Sequence, residues 1–210
     1  MLRAATILTL VLAFTMAEAL AQEIRTVGGC RLRPGTLCVR LNLRGADLSG
    51  MNLRHSQFTG SMLGGANLSG ANLDESDLNG VDARNANLQS TSLRRATARG
   101  ARFDDANLSG AVLEKASLER ASLSGADVTR AHLSGVNLAK ASLERARLNA
   151  ADLRHANLRA ARLRGASLAD AKLDGVDFSG SDLSDADLSG ASIDHAVFTR
   201  ARTTGCKGCP

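Results

Sequence analysis

Leucine returns at every fifth residue along most of this chain, and a period of five fits neither regular element of protein structure. From Leu43 to Phe198 there are 32 positions whose numbers end in 3 or 8. Of these, 24 are Leu, and the others are Phe58, Ala83, Ala98, Phe103, Val128, Phe178, Ile193 and Phe198. Two residues before each, Ala fills 22 of 32 positions, and the residue between is Asn or Asp in 16 of 32. The phase holds over residues 41–200 without insertion. In an α-helix a step of five advances about 140° net, so the leucines scatter around the cylinder and form no apolar stripe. This holds even for segment 139–166, which is rich in good helix formers. In a flat strand an odd period sends successive leucines to opposite faces.

A chain that turns after each Leu does bury the pattern. The small residue and the Leu stand two apart, so both face inward from a short extended piece. The next two residues, such as Ser69-Gly70 in Ala66-Asn67-Leu68-Ser69-Gly70, make a corner. Four such walls close a square coil, hydrogen-bonded to the coils above and below at roughly 4.8 Å. The expectation is an all-β solenoid stabilised by neighbouring coils. Ala83 and Phe103 then share a column in adjacent coils, and Ala98 lies one corner before Phe103. The Phe103 ring is therefore expected to fill the space that the two alanines leave.

The tandem phrase A(D/N)LxG, as in "ANLSGANLDESDLNG" over residues 66–80, resembles the pentapeptide-repeat protein family. The resemblance covers residues 41–200, and the chain is read as an exported member. It implies a right-handed quadrilateral β-helix of about eight coils, roughly 38 Å long at strand spacing.

Residues 1–21 read as a signal peptide: Arg3, the apolar run "AATILTLVLAF", then Ala19-Leu20-Ala21 as a small-x-small cleavage site. A cut after Ala19 and a buried N-terminal helix are the competing readings. The apolar run is short for a membrane span, and no other stretch comes near one. Residues 22–40 are expected as an N-terminal cap, 41–202 as the β-helix and 203–210 as a C-terminal tail. Four cysteines in an exported chain suggest two disulfides. A disulfide needs Cα atoms within about 7 Å, and the rod holds its ends much farther apart. Cys30 is therefore expected to pair with Cys38, and Cys206 with Cys209, one bridge fastening each end. A redox-active CxxC at Cys206–Cys209 lacks the following helix that lowers a thiol pKa. A Cys₄ zinc site would require the two ends to meet.

Charge is uneven along the rod. Residues 111–165 carry ten basic and five acidic side chains, and residues 166–200 carry two basic and seven acidic. Arg145, Arg147, Arg154, Arg159, Arg162 and Arg164 form a basic girdle, the candidate anion-binding feature. They fall on successive walls, as a ring rather than a groove-tracking stripe, so nucleic acid is not the expected ligand. The chain has no Trp, no Tyr and five Phe, which removes aromatic stacking platforms for bases. His55, His132, His155 and His195 fall on one wall. His155 and His195 stand two coils apart, about 9–10 Å at strand spacing, too far to share a metal. No nucleophile–base arrangement and no phosphate-binding loop appears. No catalysis, cofactor or metal is expected.

The expected function is that of an exported structural or protein-interaction rod, periplasmic or extracellular, with an unidentified protein partner. Two alternatives stand beside it. The resemblance implies a DNA-mimicking inhibitor or protector of a topoisomerase such as gyrase, since the best-studied relatives are acidic dimeric rods of that kind. This chain departs from them in its formal net charge of +5 and its signal-like N-terminus. The other alternative is a binder of anionic envelope polymer or lipid. Relatives often dimerise through their C-terminal coils, and Ile193, Val197 and Phe198 make the last coil here apolar, so a homodimer is also considered.

Overall fold

The computed structural model describes residues 25–210. The expected signal peptide and the first residues of the expected cap lie outside the described residues. Two short strands come first, β1 (Arg25–Val27) and β2 (Cys30–Leu32). They pair antiparallel in the register Arg25↔Leu32, Thr26↔Arg31, Val27↔Cys30. Gly28 and Gly29 connect them with φ of 55° and 80°, the doubly positive conformation that two-residue hairpins favour. Gly28 is needed for a second reason. A Cβ there would lie 2.7 Å from the Asn42 carbonyl oxygen, because the hairpin sits directly on the first coil. Cys30 and Leu32 point into that coil and are buried.

From Leu37 onward the chain is one ladder. Parallel bridges link residues 20 apart, from Leu37↔Gln57 through Asp187↔Lys207, four to each coil. The ladder therefore begins inside the segment expected as a cap and continues into the segment expected as a tail.

One repeat shows how every amide is satisfied, as buried backbone requires. Ala66 N–H closes the preceding turn onto Leu63 O at 2.9 Å. Asn67 N–H donates to Ala46 O in the coil before at 2.9 Å, and Leu68 N–H to Asn87 O in the coil after at 2.7 Å. Gly70 N–H donates to Gln89 O at 2.9 Å. Ser69 N–H donates to the Asn67 side-chain oxygen at 3.2 Å. That last bond is an Asx turn, and it explains why Asn or Asp so often precedes the Leu. The residue closing each turn has positive φ, whether it is Gly70 at 64° or Arg145 at 57°.

Inward positions are buried from Leu48 to Leu188, with the alanines and leucines of each wall in one core. Phe103, Ala83 and Ala98 are all buried in it, at 3% exposure or less. The two ends differ. The hairpin covers the N-terminal end, whereas Ile193 and Phe198 of the last coil are only half-buried. Phe198 stacks on Phe178 of the coil before, ring centroids 5.1 Å apart.

Candidate functional site

A closed core leaves three outward positions per repeat: the middle of the wall and the two corner residues. Much of their polar chemistry is used by the fold. On one wall Asn67 Nδ2 donates to Asp47 Oδ1 at 3.2 Å, and Asn87 Nδ2 donates to Asn67 Oδ1 at 3.2 Å. The same oxygens accept the turn amides of Ser49 and Ser69. At three repeats whose wall position is Ser or Thr, the coil before supplies the acceptor. Arg94 N–H bonds Asp74 Oδ1 at 2.9 Å, Arg99 N–H bonds Asn79 Oδ1 at 2.8 Å, and Asp194 N–H bonds Asp174 Oδ1 at 3.2 Å.

Five of the six girdle arginines are in ion pairs: Arg147 with Asp127 at 2.7 Å, Arg154 with Asp152 at 2.6 Å, Arg159 with Asp177 at 3.0 Å, Arg162 with Glu144 at 3.1 Å and Arg164 with Asp185 at 3.7 Å. Arg145 has no ion pair among the described residues. Arg154 holds its carboxylate in a fork, Nε to Oδ1 at 2.8 Å beside the shorter contact, and Arg84 does the same to Asp82. These hydrogen bonds hold the Asp152 and Asp82 carboxyls below the usual carboxylate range against the opposing pull of burial. The arginines are largely exposed, so each pair adds little stability. Their effect is to leave the girdle less available to an outside anion.

The cations without ion pairs include two that the sequence reading did not single out, Lys140 and Arg200. Both are exposed corner residues. Their numbers differ by a multiple of 20, and that shared column was the signal available in the sequence.

The structure joins Cys30 to Cys38 and Cys206 to Cys209, with Cα separations of 5.6 and 5.8 Å. Thr36 Oγ1 lies 3.3 Å from both Cys30 Sγ and Cys38 Sγ and donates to Arg31 O at 2.7 Å, fastening the first turn below the hairpin. Three histidines occupy one corner column with positive φ: His55, His155 and His195. His55 lies 3.6 Å from Glu75, and His155 folds over Gly175 in the next coil. His132 is on the wall beside that corner, in register with Asp152. Among the described residues no group of three or more His, Cys, Asp or Glu side chains is placed to hold a metal ion. No helix among them is long and apolar enough to cross a membrane.

The chain matches the pentapeptide repeats family model in eight copies, over residues 38–74, 62–97, 101–139, 126–165, 141–180 and 161–200. No curated protein matches it. Among solved structures it is similar to full-length QnrB1, a plasmid-mediated fluoroquinolone resistance protein. The identity is 19% and the TM-score 0.65, over 81% of this chain and 90% of that one. At that identity the likeness concerns the fold alone. It is also similar to HetL, a pentapeptide repeat protein involved in heterocyst differentiation regulation from the cyanobacterium Nostoc, at 27% identity and TM-score 0.47, over 91% of this chain and 94% of that one. Pentapeptide repeat proteins fold as right-handed quadrilateral β-helices, and the 20-residue ladder, the Ala-Asx-Leu walls and the match along the repeats place this chain in the pentapeptide repeat family.

Proposed function

We propose that the protein is an exported interaction rod without catalytic activity, a right-handed coil whose flat walls bind a protein partner in the envelope or outside the cell. The observation that carries this reading is the unbroken ladder from Leu37 to Lys207. It gives four rigid walls, with backbone and core groups used internally. The two disulfides support the compartment, since such bonds persist where the surroundings are oxidising. A DNA-mimicking reading is less well supported. It calls for carboxylates free along the rod, whereas Asp127, Asp152, Asp177 and Asp182 each face an arginine. The half-buried end of the last coil further suggests a homodimer joined at the C-terminal coils.

The test is fractionation combined with photo-crosslinking from wall positions of the full chain. A shortened, oxidised chain outside the cytoplasm, crosslinked to one protein species, is expected. A full-length chain with reduced thiols in the cytoplasm would remove the reading.

A further inference from the structure

Lys140, Ala160, Gly180 and Arg200 follow one another up a single corner, with φ of 61°, 54°, 68° and 57°. Lys140 and Arg200 stand three coils apart, roughly 14 Å at strand spacing. Between them the small side chains of Ala160 and Gly180 leave an open groove of about 890 Å³ along the adjoining wall.

Two carboxylates approach this groove, and both are already paired. Asp177 is 3.0 Å from Arg159. Glu119 is gripped by Arg99 and lies 3.8 Å from Arg120. The Arg99 hydrogen bond holds the Glu119 carboxyl below its usual range. Neither Lys140 nor Arg200 forms an ion pair among the described residues. Lys140 acts on the Glu119 carboxylate only through space, beside the Arg99 hydrogen bond that dominates there, so the groove keeps a positive surplus with one cation at each end.

Between them the lining combines the ion-paired Arg159 and Glu119 with uncharged polar groups. Asn137 accepts from Asn157 at 3.2 Å and from the Ala139 amide at 3.1 Å, but its own side-chain nitrogen donates to nothing among the described residues. The Thr199 hydroxyl is likewise without a partner and exposed.

We propose that this groove binds an extended acidic polysaccharide, with carboxylates on Lys140 and Arg200 and hydroxyls on Asn137 and Thr199. The span between the cations is too long for one carboxylate or phosphate to bridge, which points to a polymer. Hydroxyl-rich sugars suit the amide and hydroxyl lining. Single-stranded nucleic acid binds largely by stacking its bases on aromatic rings. Here Phe58, Phe103 and Phe178 are buried, and Phe198 lies in the end of the rod. The site differs from the arginine girdle in both of its unpaired cations, and it does not depend on the protein-partner reading.

The experiment is calorimetric titration of the full chain with oligogalacturonate, with dextran and a single-stranded DNA oligonucleotide as comparisons. Salt-dependent binding of oligogalacturonate alone is expected. The variant Lys140→Gly/Arg200→Gly suits the positive φ at both sites, so it keeps the fold while weakening binding by about tenfold or more. Lys140→Gln/Arg200→Gln, which preserves side-chain bulk, does the same. Arg145→Gly, an unpaired cation on another corner, changes affinity by less than about twofold. The proposal is overturned by absent binding, by unchanged affinity in the paired variants, by an equal loss in Arg145→Gly, or by tighter binding of the DNA.

Discussion

At the third position of each turn the backbone is left-handed even where the residue is Arg, Lys, His or Asp, with φ between 53° and 61°. Each such residue carries strain of about 1–2 kcal/mol that Gly avoids. Several are followed in the next coil by Gly at the same corner, and their side chains fold over it: Asp105 over Gly125, His155 over Gly175, Asp170 over Gly190 and Asp185 over Gly205. The glycine thus serves both its own φ and the side chain below. Gly190→Ala is expected to cost about 1–3 kcal/mol, combining an unfavourable φ with a clash against Asp170 Oδ1. Adding Asp170→Ala should recover the part due to the clash. Denaturant melts of both single variants and the double variant measure this, and additive effects would show that the side chain is not pressed on the glycine. The preference for Gly at corners was legible in the sequence. The tolerance of Arg and His there was not, because it depends on what occupies the neighbouring coil.

At the scale of one repeat, the chemistry follows from local geometry. Ala and Leu stand inward two apart, and Asx between them caps the turn that follows, as Asn67 does for Ser69. Ser92 and Thr97 break the Asx rule without leaving their turn amides unpaired, because Asp74 and Asn79 of the coil before provide acceptors. Buried hydroxyls at the small position behave comparably: Thr91 Oγ1 donates to Leu68 O at 2.7 Å, and Ser61 to Cys38 O. Packing exchanges also run between coils. Phe103 is as buried as the leucines around it, in the column where Ala83 precedes it. Phe103→Leu should leave space beside Ala83 and Ala98 and destabilise by about 1–2 kcal/mol. Calorimetry showing an unchanged melting temperature would mean that the ring does not fill for the two alanines.

Across the whole molecule the ends differ in kind. The N-terminal end is closed by the hairpin, with Cys30 and Leu32 buried beneath it. The C-terminal end keeps the tail disulfide at its rim, and Ile193 and Phe198 remain half-buried. Within the rod the equivalent amides, Leu173 N–H and Phe178 N–H, donate to Ser192 O and Val197 O at 2.8 Å. Among the described residues no backbone carbonyl accepts from Ile193 N–H or Phe198 N–H in the last coil. An open strand edge with apolar side chains beside it is a docking surface or an aggregation hazard. If two copies meet there, light scattering should give a dimer for the full chain and a monomer for Phe198→Asp. A monomer for the full chain at high concentration would dismiss the dimer.

The pattern of residues was enough to determine a turning, four-sided coil with Leu inside and Asx before it, since no regular element buries a period of five. It was also enough to pair the cysteines by end, because a rod keeps its ends apart. Tertiary structure alone decided which charges remain available. Arg154 meets Asp152 within its own repeat, but the other four paired girdle arginines meet carboxylates 18 to 21 residues away, reached only when coils stack. Arg159 meets Asp177 in the next coil, and Arg164 meets Asp185. A ring of arginines in the sequence thus becomes a mostly neutralised surface, and Lys140 and Arg200, which do not stand out in the sequence, become the unpaired cations at the two ends of a groove.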